Sequence, residues 1–166
     1  LRISIIRINI ICKRGKKMNI SLPPDCPYYL ISRASLSTTS VLKKGLAGAG
    51  ASNIKPAYLG VLLSLWSEDN LRANELGRRA GLEPSTMTGL LDRMERDKLL
   101  KRTSDPEDRR ASRICLTKLG IDAEKASIKA VEILLGKVFA DIPQKDIMTT
   151  KNVLRKVLFN CNSEDR

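Results

Sequence analysis

The run Leu71-Arg72-Ala73-Asn74-Glu75-Leu76-Gly77-Arg78-Arg79-Ala80-Gly81-Leu82, continued by Glu83-Pro84-Ser85-Thr86-Met87-Thr88-Gly89-Leu90-Leu91-Asp92-Arg93-Met94-Glu95-Arg96, decides the fold of this chain. Ala73, Leu76 and Ala80 recur at helical spacing, and Gly81 is a natural stop because it tolerates a left-handed backbone. A second helix starts at once. Glu83 falls at its N-cap and Pro84 in its first turn, where a missing N–H costs no helical hydrogen bond. Met87, Leu90, Leu91 and Met94 give this helix its apolar side. The opposite side carries Ser85, Thr86, Thr88, Gly89, Arg93 and Arg96, small near the start and basic further on. Two short helices across a tight turn form a helix-turn-helix, whose second helix fits the DNA major groove.

Two strand-like runs follow, Leu99-Leu100-Lys101-Arg102-Thr103 and Ala111-Ser112-Arg113-Ile114-Cys115-Leu116. Between them lies the polar turn Ser104-Asp105-Pro106-Glu107-Asp108-Arg109-Arg110. A helix-turn-helix running straight into a charged hairpin is a winged helix. At this point the chain resembles the multiple-antibiotic-resistance regulator (MarR) family of bacterial transcription factors. Three blocks carry the resemblance: Glu83 to Glu95, then Asp105-Pro106-Glu107-Asp108-Arg109-Arg110, then Leu116-Thr117-Lys118-Leu119-Gly120. It covers Tyr28 to Cys161 and is densest from Ala57 to Gly120.

The residues themselves suggest a division of labour. Ser85, Thr86, Thr88 and Gly89 are small enough for close approach to base edges, and hydroxyls can donate or accept there. Arg93 follows on the same face, and Arg96 suits a phosphate or a plain surface charge. Arg109 and Arg110 sit on a narrow turn, where a guanidinium fits an electronegative minor groove. In the family's Asp-x-Arg pattern, matched here by Asp108 and Arg110, the acid braces the arginine, so Asp108 is expected to orient and not to touch DNA. The competing reading is a solvated basic surface on a non-DNA-binding protein-interaction module. A basic tip on a tight hairpin has few other uses, which weighs against it.

The chain has 166 residues and a formal charge of +12, which favours a polyanionic partner. Residues 71–116 hold eleven basic and eight acidic residues, whereas residues 1–17 hold six basic residues and no acid. The excess is therefore modest in the helix-turn-helix and concentrated in the tail. With no histidine, His-based triads and His metal sites are excluded. Cys12, Cys26, Cys115 and Cys161 lack metal-ligand spacing and read as reduced cytoplasmic thiols. Phosphate loops, nucleophile elbows and clustered carboxylates are also missing, so neither an enzyme nor a cofactor or metal site is expected.

The flanks complete the expected architecture. Residues 1–17 are isoleucine-rich and end in a basic run; a signal peptide puts its charge first, and the apolar stretch is too short and too interrupted by Arg to span a bilayer. They are expected to be a basic N-terminal extension with little order, whose isoleucines could add a strand or pack on a partner. Pro27 opens a helix towards Leu46 with Leu30, Ala34, Val41 and Leu42 on its apolar side, and Gly45 to Ser52 reads as a flexible connection. Pro56 starts a helix through Tyr58, Val61, Leu62 and Leu65, with Trp66 as a core anchor. Lys98 stands where family members usually have Gly, so a left-handed turn there would carry about 1 kcal/mol of strain. Thr117 is a good N-cap for a helix reaching Phe139, and Pro143 opens a last one to Cys161.

These terminal helices hold more apolar surface than one small domain needs to bury. The expected fold is mainly α, a winged helix-turn-helix with additional N- and C-terminal dimerisation helices. Its parts are the extension (1–17), the N-terminal helix and linker of the dimerisation region (18–56), the winged helix-turn-helix (57–116) and the C-terminal dimerisation helices (117–166). The resemblance implies a cytoplasmic homodimer on a palindromic double-stranded operator, not at a membrane, most often a repressor released by a small phenolic or amphipathic effector. One branch of the family senses hydroperoxides with a cysteine near the start of its first helix, and Cys26 holds roughly that place, without a clear tyrosine pair for its thiolate.

Overall fold

The computed structural model describes residues 6–11, 17–22, 26–108 and 111–163. In chain order the elements are β1 (Ile6–Ile11), β2 (Lys17–Leu22), α1 (Pro27–Gly48), a 3₁₀ turn (Pro56–Tyr58), α2 (Leu59–Ser67) and β3 (Leu71–Arg72). Then come α3 (Ala73–Ala80), α4 (Pro84–Arg96), β4 (Leu100–Ser104), β5 (Ser112–Leu116), α5 (Lys118–Asp122), α6 (Glu124–Val138) and α7 (Gln144–Ser163).

The core gathers where these elements converge on the second helix of the pair. Val61, Leu62 and Leu65 of α2, Leu76 of α3, and Met87, Leu90, Leu91 and Met94 of α4 are buried together with Leu99, Leu100 and Ile114 of the wing. Each such side chain contributes about 1.5–3 kcal/mol by leaving water. Four of them on one face of α4 therefore fix its roll, and the hydroxyl-bearing face has to point outward.

The wing is a three-stranded antiparallel sheet in the order β3-β5-β4, with Leu71 opposite Ile114 and Leu100 opposite Leu116. Leu71 and Arg72, which open the quoted run, pair with β5, and the helix begins at Ala73. Leu71 gains a buried place by this pairing, and Arg72 gains an acid, described below.

Four further details depart from the sequence reading. Gly45 and the residues after it continue α1 to Gly48, where α1 packs on α6: a Cβ at Gly45 would stand 3.6 Å from the Ala130 carbonyl, an ordinary contact. The chain then turns at Gly50, at φ +83°, and buries Ala51 and Ile54. Of the side chains assigned to α1's apolar face, Leu30 and Ala34 are exposed, and the buried residue is Leu46, one turn beyond Leu42. The helix after Thr117 is two segments meeting at Ala123, with the Thr117 hydroxyl accepting from the Gly120 N–H at 3.2 Å. At the N-terminus β1 and β2 form an antiparallel ladder from Ile6↔Leu22 to Ile11↔Lys17, which crosses the boundary placed after residue 17. Among the described residues no helix is long and apolar enough to cross a membrane.

Candidate nucleic-acid interface

The turn between α3 and α4 is built by Gly81, at φ +65°, with its N–H donating to Arg78 O and the Leu82 N–H donating to Gly77 O. These bonds close α3 and release the chain at once into α4, where Glu83 is the N-cap without a side-chain bond and Pro84 opens the first turn. Ser85, Thr86 and Thr88 are exposed on α4, Gly89 is half-buried between them and the core side, and Arg93 and Arg96 are exposed further along. Thr88 donates its hydroxyl to Pro84 O at 3.0 Å, leaving the oxygen's lone pairs facing outward as acceptors. The Arg93 guanidinium lies back over Gly89: a Cβ there would stand 3.5 Å from Nη1.

The arginines of this unit divide into two sets. Arg102 of β4 reaches across to α4, donating to Asp92 Oδ1 at 2.6 Å and to Glu95, whose other oxygen accepts the Arg102 backbone N–H at 3.0 Å. Arg79 pairs with Glu68 and Glu75, and Arg78 with Glu75. Arg72 and Arg113 share Asp105. Arg93 and Arg96, by contrast, form no salt bridge among the described residues. A groove of about 1110 Å³ runs between α3, α4 and the base of the wing, bordered by Asn74, Arg78, Thr88, Arg102 and Ser112.

Asp105 is the residue that sequence reasoning missed. Its side chain is fully buried at the wing base and accepts from Arg72 Nε at 2.6 Å, Arg113 Nε at 3.0 Å and the Glu107 N–H at 2.9 Å. The Arg72 hydrogen bond, followed by that backbone N–H, holds its carboxyl well below the usual carboxylate range. Arg72 adds Glu107 at 2.9 Å, so β3, β5 and the wing turn are tied at one point. The available signal was the pairing of an isolated Arg72 with a wing acid, invisible until β3 is known to lie beside β5.

The wing tip itself is only partly described. Arg109 and Arg110 lie outside the described residues, and with them the expected bracing of Arg110 by Asp108. Asp108 is exposed, and its carbonyl accepts the Ala111 N–H at 2.9 Å, closing the turn. Cys26 is buried at the N-cap of α1 and makes no side-chain capping bond, while Tyr28 beside it is 78% exposed. Cys115 donates to Asn70 Oδ1 at 3.2 Å, within the wing sheet. Cys12 lies outside the described residues.

This combination of paired helices, a flanking three-stranded wing and an outward polar face on the second helix defines a winged helix-turn-helix. A family model described as the MarR family matches residues 54–112, the segment just built. The HTH-type transcriptional regulator SarZ of Staphylococcus haemolyticus is 32% identical over 100 residues, covering 60% of this chain and 67% of SarZ. The HTH-type transcriptional repressor MdtR of Bacillus subtilis is 34% identical over 84 residues, covering 51% of this chain and only half (50%) of MdtR. Among solved structures, the PcaV transcriptional regulator from Streptomyces coelicolor, in complex with its natural ligand, superposes with a TM-score of 0.72 at 22% identity, over 79% of this chain and 90% of PcaV. The chain belongs to the MarR family.

Proposed function

We propose that this chain is a sequence-specific, non-enzymatic DNA-binding transcription regulator, acting as a homodimer on a palindromic operator. One observation carries the reading. Around α4 the arginines of the supporting elements are neutralised by carboxylates, whereas Arg93 and Arg96 on the outward face are left without one among the described residues. Paired arginines hold a scaffold; uncommitted ones beside Ser85, Thr86 and Thr88 are available to phosphates and bases. Arg109 and Arg110 extend the same charge to the flanking minor groove, with Asp108 orienting Arg110. Sequencing the fragments of source genomic DNA retained by the purified protein tests this directly: an enriched palindrome is expected, and uniform retention would sink it. On that duplex Arg93→Ala and Arg110→Ala should each cost about 1–3 kcal/mol of binding. Asp108→Ala should also weaken binding; tighter binding would mean that simple electrostatics outweighs bracing.

The regulator is read as a repressor released by a small amphipathic, for example phenolic, molecule. MdtR is named a repressor and PcaV is solved with its natural ligand, which supports that choice. Such a molecule would wedge at the junction between the helices from Tyr28 to Trp66 and the helix after Thr117, favouring a spacing unsuited to DNA, and would act only through its differential affinity for the two states. The rival switch is oxidation of the Cys26 thiol to a sulfenic acid by a hydroperoxide, itself reduced to the alcohol. Operator binding of the parent and Cys26→Ser, each with and without low hydroperoxide, separates them. Release of the parent alone by peroxide would replace the ligand switch with a thiol switch.

A further inference from the structure

Among the described residues, three helices end in the same pattern of backbone bonds. After α1, Ala51 N–H reaches Leu46 O and Gly50 N–H reaches Ala47 O; after α3, Leu82 reaches Gly77 and Gly81 reaches Arg78; after α4, Leu99 reaches Met94 and Lys98 reaches Glu95. The pattern needs one left-handed residue. Gly50 and Gly81 supply it without strain, but at the end of α4 the residue is Lys98, at φ 58°. A second unfavourable choice stands beside it. Asp97 puts a carboxylate at the C-terminal end of α4, where the helix dipole favours a cation.

Both choices are held in place from outside the helix. Tyr58, 1% exposed, donates its hydroxyl to Asp97 Oδ2 at 2.7 Å. Lys55 donates to the same oxygen at 2.7 Å and to the Tyr58 oxygen at 2.9 Å, with its ammonium 5.1 Å from the Tyr58 ring centre. From the other side, the Thr117 hydroxyl donates to Lys98 O, and the Thr117 N–H donates to Leu99 O at 3.1 Å. Lys55 and Tyr58 follow the loop that leaves α1, and Thr117 opens the segment that leads into α6. Because α1 and α6 pack on each other through Gly45 and Ala130, the turn after α4 is gripped by both routes from the frame to the winged unit.

We infer that Lys55, Tyr58 and Asp97 are positioning residues for DNA reading: they fix the angle of α4 relative to the α1–α6 frame, and so the separation of the two recognition helices in the dimer. The inference rests on the DNA-binding reading above. Two locally costly residues, Asp97 held by a buried hydroxyl and a cation and Lys98 held by Thr117, mark a joint selected for direction over helix stability. None of the three needs to touch DNA.

The test uses the full chain and the duplex it enriches from fragmented genomic DNA, that duplex with two base pairs inserted between half-sites, and an isolated half-site. Tyr58→Phe keeps the packing and removes the hydroxyl, Asp97→Asn removes the charge, and the exposed Lys55→Met guards against a folding artefact. Each variant should lose about tenfold in affinity for the natural spacing, and its discrimination against the inserted duplex should shrink by a similar factor. Half-site affinity and the salt dependence should stay as in the parent, because no phosphate contact is lost. Equal loss on half-site and full duplex, loss that merely follows the thermal midpoint, or no loss in any variant would overturn the inference. A parent that enriches no DNA would instead remove the reading on which it rests, and that shows before any variant is made.

Discussion

Between Leu46 and Leu116 lie all but two of the apolar side chains that are buried from Cys26 to Cys161, excluding the wing tip, whereas α7 has no buried side chain from Gln144 to Cys161. The contrast is not one of composition. On α7 Met148, Val153, Leu154, Val157, Leu158 and Phe159 are apolar, and their exposure runs from 38% at Val157 to 63% at Phe159. At the other end of the chain Tyr28, Leu30 and Ile31 of α1 are exposed in the same way. The winged unit closes its own core and then ties its polar groups into ion pairs. The terminal helices do neither. A helix in a protein draws most of its stability from packing its apolar face, and a contiguous exposed apolar face of this kind marks an interaction surface. The difference teaches that one half is complete as a single copy and the other is not, which supports the dimer proposed above.

The largest effect should come from breaking that second half. A glutamate at Leu154 or Val157 would place an unpaired charge in the proposed interface, at a cost of about 3–5 kcal/mol. Sedimentation should show a monomer, binding to the palindrome should collapse, and the winged unit should keep its helical signal. A dimer persisting in both variants would mean that α7 faces solvent in the assembly too.

The next effect falls where the two halves join. A Cβ at Gly120 would collide with the carbonyl of Leu99, a backbone atom that cannot swing aside. The same residue accepts a hydrogen bond from the Trp66 indole at 2.9 Å and donates one to Thr117. Gly120→Ala should therefore destabilise by roughly 3 kcal/mol, the upper end for overpacking, read as a lower urea midpoint at unchanged slope. A smaller loss would show that β4 and α5 can move apart, and that the join is looser than its contacts suggest.

How much of this was legible beforehand depends on the range of the interaction. The helix pair, its buried face and the glycine turn follow from local spacing, and Met87, Leu90, Leu91 and Met94 are all buried as the periodicity required. The resemblance puts a glycine where Lys98 stands, which implies strain if the turn is left-handed, and the φ of Lys98 is 58°. Asp105 and β3 were not legible, because a two-residue strand has no period and the ion pair joins positions 33 residues apart. The continuation of α1 past Gly45 was also missed: a glycine-rich run looks, in sequence, like a helix end, and the packing of α1 on Ala130 of α6 is a long-range contact.

Asp105 gives the third prediction. Its carboxyl is held below the ordinary range, chiefly by Arg72, so the folded chain binds a proton there less readily than the unfolded chain does. The stabilisation is complete above the unfolded value of about 3.9 and is lost as pH falls through and below it. Asp97 and Glu75, lowered in the same direction by Lys55 and Arg79 respectively, add to the slope. Asp105→Asn should be less stable at neutral pH and should show a flatter fall in stability between about pH 4 and pH 2. Parallel curves for parent and variant would place the acid sensitivity elsewhere.

Lys98→Gly is the smallest change and the sharpest on the join between the halves. A left-handed backbone costs a non-glycine residue about 1–2 kcal/mol, and glycine would relieve it. Against this, glycine gives the unfolded chain more freedom, worth about 0.4–1 kcal/mol. The net should lie between nothing and a gain of about 1.6 kcal/mol, so the thermal midpoint should rise or hold. DNA reading should move the other way. A glycine after α4 lets the helix end swing on its grip by Tyr58 and Thr117, so discrimination between correctly and wrongly spaced half-sites should fall while stability does not. If stability and discrimination rise together, Lys98 is a strained residue and nothing more, and the angle of α4 is set by its buried face alone.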